Sequence, residues 1–304
     1  LRHLQLLVAL DQFRHLGRTA EFLSVSQPAV SRMLTEVEAM LALVLFDRSS
    51  RGSVPTPSGQ AMVRFARSVL ASYEQTRDEI AAEASGLAGR TRVGAMVVAL
   101  PTLLAPAVSA LKLRSARATV LIEEGDLTHL LPKLRLGELD LFVGRLEPGY
   151  AAPDLSTEAL TNEPMVVVVR PGHALARRRR PQWADLATLP CVVPPPWASL
   201  RTKIEQEFFR HGLQPPTDML ETASFLALVT FLHERHAAGF MAESVARHFS
   251  ALGLVQTVAM AVPLELPPIG LITLQGRAPS PSTQLLIEAL RATVKMRGAF
   301  AVPP

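Results

Sequence analysis

Residues 20–31 read Ala-Glu-Phe-Leu-Ser-Val-Ser-Gln-Pro-Ala-Val-Ser and predict a helix, a tight turn and a second helix. Ser26 is of the residue type that caps helix N-termini, and Pro28 falls in the first turn, where its missing N–H costs little. In a helix-turn-helix, the second helix enters the major groove of DNA with its first turns toward the base edges. The residues predicted to face DNA are Ser26, Gln27, Pro28, Ala29, Ser31 and Arg32.

These side chains suit base reading, because glutamine pairs with adenine, arginine takes guanine or a phosphate, and alanine touches a thymine methyl. A small hairpin is predicted from Leu45-Phe46 and Ser53-Val54, which places Arg48 and Arg51 where a wing meets the DNA backbone or minor groove. Residues 14–67 hold seven arginines against four acidic residues, a balance that favours a polyanion. The hydrophobic spacing alone leaves open a helical domain that serves only oligomerisation.

The sequence resembles the LysR-type transcriptional regulators. The matching positions are Ala20, Leu23, Ser26 to Ser31, Leu34, Val37 and Glu38, followed by Leu45 to Arg48 and Thr56 to Gly59. The resemblance extends to the order of domains and implies an α/β protein with an N-terminal all-α winged helix-turn-helix. A long linker helix and a two-lobed effector domain, similar to periplasmic binding proteins, complete the implied fold. The match argues strongly against the oligomerisation-only alternative.

Three positions depart from the pattern of that family. Ala42 stands where the family usually has glycine after the recognition helix. A left-handed alanine costs about 1 kcal/mol, so we expect this helix to end differently. Pro55 stands in place of leucine and should alter the wing edge. Gly17 replaces a Ser or Thr cap at the start of the second helix.

Length and composition predict two or three ordinary globular domains, since the 304 residues are 48% hydrophobic and 19% charged. The single cysteine, Cys191, excludes a disulfide framework and fits a reducing cytosol. The net charge of +4 permits a polyanionic partner without demonstrating one. The start lacks the pattern of a secretory signal, so we expect a cytoplasmic protein.

Periodicity along the chain gives the predicted domain bounds. Residues 1–57 form the DNA-binding domain, and residues 58–89 form a linker helix too long to bury its apolar stripe without a partner helix. Residues 90–304 alternate strands with helices and form the effector domain. Its first lobe covers about 90–162 and 267–304, and its second about 163–266. The uncharged stretch 93–111 is interpreted as a strand (92–97), a turn and a core-facing helix, not a membrane span.

The resemblance places the ligand contacts of the effector domain at four strand-to-helix junctions, 98–102, 126–128, 197–200 and 221–224. We expect Thr128, Ser199 and Ser224 to cap helices there, and Arg145 to face the cleft between the lobes. The apolar first junction favours a mixed apolar and polar ligand over an inorganic anion. The candidate contacts are Val98, Ala99, Thr128, Arg145, Trp197, Ala198, Ser199, Leu200 and Ser224.

Catalytic and metal-binding patterns are missing from the sequence. We find no glycine-rich phosphate loop and no G-x-S-x-G elbow. His233 and His236 have the wrong spacing for a zinc helix, and Cys191 fits a core position. We therefore expect no enzyme activity, no metal and no cofactor.

Two alternatives use a similar two-lobed domain. A solute-binding protein predicts a secretory signal and no motif at 26–31, whereas an enzyme requires a catalytic pair in the cleft. The favoured interpretation is a ligand-responsive regulator that binds double-stranded operator DNA and a small-molecule effector, and that pairs with itself as a homodimer or homotetramer. Gly144-Arg145-Leu146 with Pro171-Gly172-His173 resembles the branch that controls aromatic-acid and sugar catabolism. Membrane association is not expected.

Overall fold

The computed structural model describes residues 1–49, 52–85, 89–196 and 198–299. The N-terminal part is built from three helices and a hairpin: α1 (Arg2–Phe13), α2 (Leu16–Phe22), α3 (Gln27–Leu41), β1 (Phe46–Ser49) and β2 (Gly52–Pro55). Its core is apolar and includes Leu6, Leu10, Val30, Leu34, Leu45 and Phe46. Phe46 pairs with Pro55 and Asp47 with Val54, so the predicted hairpin is confirmed.

The ends of these helices correct two of the departures noted in the sequence. His15, not Gly17, caps α2, because its Nδ1 accepts hydrogen bonds from the backbone N–H groups of Gly17 at 3.1 Å and Arg18 at 3.4 Å. The expectation that α3 ends differently without a glycine is wrong. Ala42 itself takes the left-handed conformation, with φ of 53°. The strain of a left-handed alanine is therefore retained.

The helix α4 (Pro57–Ser85) is the predicted linker helix. Its 29 residues span roughly 43 Å at 1.5 Å per residue. Thr56 precedes it, and the Thr56 hydroxyl accepts a hydrogen bond from the backbone N–H of Gly59 at 3.0 Å. The Arg67 guanidinium on α4 pairs with Asp11 of α1 at 3.3 Å and with Glu138 at 3.2 Å.

The first large sheet has five strands in the order β4-β3-β5-β12-β6. They are β3 (Arg90–Ala95), β4 (Thr119–Glu124), β5 (Leu141–Arg145), β6 (Leu155–Thr161) and β12 (Ile269–Leu274). The helices of this part of the chain are α5 (Ala105–Arg114), α6 (Leu127–Leu136) and α11 (Pro281–Ala299). All five residues of β5 are buried, as expected for a strand in the middle of a covered sheet.

The second large sheet has the order β11-β7-β10-β8-β9. Its strands are β7 (Met165–Val169), β8 (Cys191–Val193), β9 (Met219–Glu221), β10 (Ala238–Ala242) and β11 (Gln256–Thr257). The strand β10 runs antiparallel to β7 and parallel to β8. The helices are α7 (Trp183–Ala187), α8 (Ser199–Arg210), α9 (Phe225–Glu234) and α10 (Glu243–Ala251). The α/β class with an N-terminal helical domain is thus confirmed.

Contacts divide the chain into two compact units. The first contains Leu1–Gly94, Arg114–Phe142 and Gly276–Leu285, and the second contains Ala95–Leu113, Val143–Gln275 and Leu286–Pro304. Both units include parts of the predicted effector domain.

The apolar stretch after β3 differs from the prediction. The expected turn is helical instead, with a 3₁₀ turn at Val97–Ala99 and a π-helical turn at Leu100–Leu104 that lead into α5. Within the described residues, Val97–Arg114 is the one helical segment long and apolar enough to cross a membrane by length and composition, and 33% of it is buried. Such a segment is also typical of a helix that packs in a core.

Candidate functional sites

The recognition helix α3 has a buried side and an exposed N-terminal turn. The Ser26 hydroxyl accepts a hydrogen bond from the backbone N–H of Ala29 at 3.4 Å, which confirms the predicted cap. Val30, Leu34 and Val37 are buried, so they fix the orientation of the helix in its domain. The exposed residues on the candidate DNA-facing side are Ser26, Gln27, Pro28 and Arg32, with Ala29 and Ser31 half-buried.

A carboxylate on α3 holds the hairpin in place. Glu38 Oε1 accepts hydrogen bonds from the backbone N–H groups of Leu45 at 2.8 Å and Phe46 at 3.2 Å. In the sequence, Glu38 is identifiable only as a position of resemblance, because its hydrogen-bond partners are seven and eight residues away. The structural role follows from the fold: Glu38 ties the end of the recognition helix to the start of the wing.

Three predicted contacts lie partly or wholly outside the described residues. Arg48 belongs to β1 by its backbone, but its side chain is not described, and Arg51 and Trp197 lie outside the described residues altogether. At the described end of the hairpin, the Ser53 backbone N–H donates to the Arg14 carbonyl at 2.8 Å. This bond joins β2 to the end of α1.

The two candidate contacts at the first predicted junction of the effector domain are buried. Val98 is 7% exposed and Ala99 is fully buried, and both belong to the 3₁₀ turn. Thr102, three residues further, places its hydroxyl 3.2 Å from the hydroxyl of Ser244. The polar group of this junction is thus Thr102, which lies within the predicted junction 98–102 but is not one of its candidate contacts.

The second junction has a different cap from the one expected. Asp126, not Thr128, caps α6, because its carboxylate accepts a hydrogen bond from the backbone N–H of His129 at 3.0 Å. Burial acts to raise the pKa of Asp126, but the hydrogen bonds from His129 outweigh burial and lower it. Thr128 is exposed in the first turn of the helix. Asp126 occupies the cap position because the helix begins at Leu127, two residues earlier than a Thr128 cap would place it.

Arg145 is buried within the second unit, only 6% exposed. Its guanidinium donates to the carbonyl of Pro267 at 2.9 Å and to the carbonyl of Glu163 at 3.1 Å. Burial lowers the pKa of Arg145, and the charges of Glu163 and Glu147 act in the opposite direction. Contact of Arg145 with a ligand stays a prediction. This side chain holds two backbone segments together.

Ser199 is not the cap of α8, contrary to the expectation. The N-cap position is Ala198, whose side chain makes no capping bond, and Ser199 is the first residue of the helix. The Ser199 hydroxyl donates to Glu147 Oε1 at 2.8 Å. Ser199 is exposed, whereas Ala198, Leu200 and Glu147 are half-buried. The structure thus brings a carboxylate to the first turn of α8.

The fourth junction confirms one cap and adds a buried cation. The Ser224 hydroxyl accepts a hydrogen bond from the backbone N–H of Ala227 at 3.3 Å and caps α9. Arg201 on α8 is 7% exposed and donates to Glu221 at 2.8 Å and to Glu205 at 2.6 Å. Burial acts to lower the pKa of Arg201, but its hydrogen bonds to these two carboxylates and their negative charges raise it.

A second carboxylate reaches a helix start at α10. Ala242 occupies the N-cap position without a side-chain bond, and Glu163 Oε1 accepts from the backbone N–H of Ser244 at 2.6 Å. Glu163 is 8% exposed and Ser244 5%. Sequence reasoning missed this pair because the two residues are 81 positions apart.

Cys191 and His233, the remaining residues considered for catalysis or metal binding, both lie close to backbone carbonyls. Cys191 is buried, its thiol lies 3.7 Å from the Leu186 carbonyl, and burial raises its pKa to about 12. His233 approaches the carbonyl of Leu254 at 2.7 Å through Nε2. Among the described residues, no group of three or more His, Cys, Asp or Glu side chains is placed to hold a metal ion.

Two family models match the chain. Residues 1–60 match the bacterial regulatory helix-turn-helix protein of the LysR family, and residues 84–295 match the LysR substrate-binding domain. The chain belongs to the LysR family. It is a transcriptional regulator, not an enzyme, with an N-terminal helix-turn-helix domain and a C-terminal effector-binding domain.

Individual proteins agree with this assignment. The HTH-type transcriptional regulator GbpR of Azospirillum brasilense is 32% identical over 308 residues, covering 100% of this chain and 90% of the relative. PcaQ of Agrobacterium fabrum is 29% identical, covering 95% of this chain and 93% of the relative. The crystal structure of full-length CbnR complexed with its target DNA has a TM-score of 0.73 at 20% identity, covering 96% of this chain and 99% of that one. At this identity the last likeness concerns the fold alone.

Proposed function

We propose that this LysR-family regulator binds double-stranded operator DNA through the exposed N-terminal half of α3 and responds to a small-molecule effector. The observation that supports DNA binding is that α3 has one buried side and one exposed side. Its buried side locks the helix into the domain, and its exposed first turns present Gln27 and Arg32. Glutamine and arginine at the start of such a helix read adenine, guanine and phosphate.

The domain bounds follow the sequence prediction. We assign residues 1–57 to DNA binding, 58–89 to a linker that pairs with a second copy, and 90–304 to effector binding. Phe65, Tyr73 and Ile80 are exposed along α4, which suits a helix that pairs with another helix. A dimer presents two recognition helices to two half-sites, and two dimers make the proposed homotetramer. The proposed location is the cytoplasm, where the operator lies.

The proposed effector is an aromatic or sugar-derived small molecule. Its contacts include Ser199 and Ser224, which lie in the first turn and at the cap of their helices. Regulation then follows from population shift, because an effector that binds one arrangement of the subunits more tightly increases the population of that arrangement.

The test of DNA binding starts from a random pool of duplexes enriched on the purified full-length protein. The enriched duplex is then titrated with wild type and with Arg32→Ala at fixed salt. Loss of an arginine that reads a base costs about 1–3 kcal/mol, so we expect a decrease in affinity of roughly tenfold or more.

The matched control is Arg247→Ala, which removes an exposed arginine of α10 that pairs with Glu243 at 3.0 Å. This variant should bind the duplex like wild type. Size-exclusion chromatography should show the same oligomer for all three proteins. Undiminished binding by Arg32→Ala removes Arg32 from the reading face, and a pool that never enriches overturns the DNA-binding assignment.

A further inference from the structure

One arginine contacts both matched regions of the chain. Arg67 lies on α4, between the helix-turn-helix match at residues 1–60 and the substrate-binding match at residues 84–295. Its Nη2 lies 3.3 Å from Oδ2 of Asp11 on α1, and its Nη1 lies 3.2 Å from Glu138 Oε1. All three residues belong to the first unit. A single guanidinium therefore binds one carboxylate of the DNA-binding domain and one of the effector-binding domain.

The three charged groups of this bridge are partly sheltered from water. The side chains of Arg67, Asp11 and Glu138 are 31%, 20% and 29% exposed. An isolated ion pair on the surface contributes little, whereas charges that form one network interact more strongly. The planar guanidinium offers a separate N–H group to each acid, which the compact ammonium of a lysine does not. The bridge therefore requires an arginine and not only a positive charge.

On the DNA-binding side, the contacts continue from Asp11 to the wing. Asp11 Oδ1 pairs with Arg14 Nη2 at 2.7 Å, and the Arg14 carbonyl accepts from the backbone N–H of Ser53 on β2 at 2.8 Å. Gly52 has φ of 125°, and a Cβ there would lie 2.5 Å from the Arg14 carbonyl oxygen. Because the hairpin backbone packs this closely against Arg14, a shift at the end of α1 moves the hairpin as well.

On the effector-binding side, Glu138 lies in a segment fixed by backbone hydrogen bonds. Gly137 ends α6 in the left-handed conformation, and the Glu138 N–H donates to the Lys133 carbonyl at 2.9 Å. Asp140 accepts from the Arg92 N–H at 2.7 Å and donates its own N–H to the Arg92 carbonyl at 2.8 Å. Since β3 and the end of α6 both hold this segment, a displacement of either element moves Glu138.

We propose that Arg67 couples the effector-binding domain to the wing of the DNA-binding domain, through Glu138 on one side and Asp11 on the other. Arg67 is a positioning residue, because it acts through these two carboxylates. Coupling between two sites is reciprocal, so DNA that binds the wing also changes the segment around Glu138. The inference rests on the proposed function where it involves DNA, and it adds the residues that connect the two domains.

The first test follows amide hydrogen exchange in the full-length protein without DNA. Glu138→Gln removes the negative charge on the effector-binding side of the bridge. We expect the Ser53 amide of the wing to exchange at least about twofold faster than in wild type. The same change in an Arg67→Met background should have no further effect. The matched control Glu124→Gln removes an exposed acid at the end of β4 and should leave the Ser53 rate unchanged.

The second test adds the enriched duplex and follows the backbone amides of residues 138–140. Duplex binding should slow their exchange at least about threefold in wild type. Arg67→Met and Arg67→Lys should both reduce this effect to below about 1.5-fold, because neither side chain presents two N–H groups in a fork. The matched control Arg64→Met removes an exposed arginine three residues earlier on α4 and should keep the wild-type effect.

Three results overturn the inference: a Ser53 rate that Glu138→Gln does not change, bound duplex without an effect on residues 138–140, or an effect that persists in Arg67→Met. An arginine with a merely structural role would raise exchange throughout the first unit and leave the response to the duplex in place. Failure of wild type to bind any duplex is a failure of the proposed function. The Ser53 measurement, which uses no DNA, then decides the inference by itself.

Discussion

The starts of α3 and α8 differ in which side chains lie beside their first turns. At α3, Ser26 comes directly before the helix and satisfies one backbone N–H with its own hydroxyl. At α8, Ala198 contributes no side-chain bond, and Glu147 approaches from 52 positions earlier in the chain to bind Ser199. A local cap leaves the first turn open to an outside partner. A distant carboxylate instead brings negative charge to that turn.

This difference matches the partners proposed for the two helices. DNA presents phosphates, and a helix start without an internal acid can approach them. Glu147 instead places a negative charge beside the first turn of α8, and this charge disfavours an anion there. The N-terminus of a helix therefore attracts an anion only where the protein has not already placed a carboxylate beside it.

The largest expected effect concerns the buried acid at α10. Glu163→Ala removes the acceptor of the Ser244 N–H and a negative charge close to the buried Arg145. Leaving a buried donor unsatisfied beside a buried cation should lower the free energy of unfolding by about 2–3 kcal/mol. Urea denaturation followed by circular dichroism measures this loss.

The control for Glu163 is a more exposed acid in the same unit. Glu158 pairs with Arg291 at 2.6 Å, and both side chains are more than a third exposed. Glu158→Ala should therefore change stability by less than about 1 kcal/mol. Equal losses in the two variants would show that burial does not distinguish these carboxylates.

The second prediction compares Ser26 with Ser199 directly. Ser26→Ala removes a true cap and should lower the free energy of unfolding by about 1 kcal/mol. Ser199→Ala removes an exposed hydroxyl that caps nothing and should stay within about 0.5 kcal/mol of wild type. Thermal unfolding of both variants under one buffer condition gives the difference. A larger loss for Ser199→Ala would reverse the comparison between the two helix starts.

The same contrast explains what the sequence could predict. Ser26 and Ser224 were identifiable as caps because a cap and its N–H lie within three residues of one another. Strands β7, β8 and β12 each coincide with a short run rich in apolar residues, which is a local signal for a covered strand. These features depend on neighbours in the chain, and for them the local pattern is sufficient.

What the sequence could not predict depends on distant partners. The hydrogen bonds of Arg145 to the carbonyls of Pro267 and Glu163 join residues 122 and 18 positions apart. The edge strand β6 has no continuous apolar run, because it is largely polar and only partly buried, and it pairs with the distant strand β12. The three-residue strand β9 is too short to show a period in the sequence. No local pattern carries this information.

The third prediction contrasts the two ends of α3. The helix starts at a favourable cap and ends at Ala42 with φ of 53°, where glycine has no steric penalty. Ala42→Gly should therefore raise the free energy of unfolding by about 0.5–1 kcal/mol, after the entropy of the glycine is subtracted. Ala39→Gly, three residues earlier in the exposed helix interior, is the matched control and should lower it by about 1 kcal/mol. Destabilisation by both glycines would show that α3 does not end in the left-handed turn.

The smallest expected effect concerns Cys191 and tests whether the effector domain responds to an oxidant as well as to a ligand. A thiol must be ionised and accessible to react, but Cys191 is buried and burial raises its pKa to about 12. We therefore expect native protein to resist a thiol-specific dye and to keep its operator affinity after exposure to hydrogen peroxide. Protein unfolded in guanidinium chloride is the control and should react at one thiol per chain, since the sequence holds a single cysteine. Rapid labelling of the native protein would contradict the burial of Cys191 and would reopen redox sensing as a second input to the effector domain.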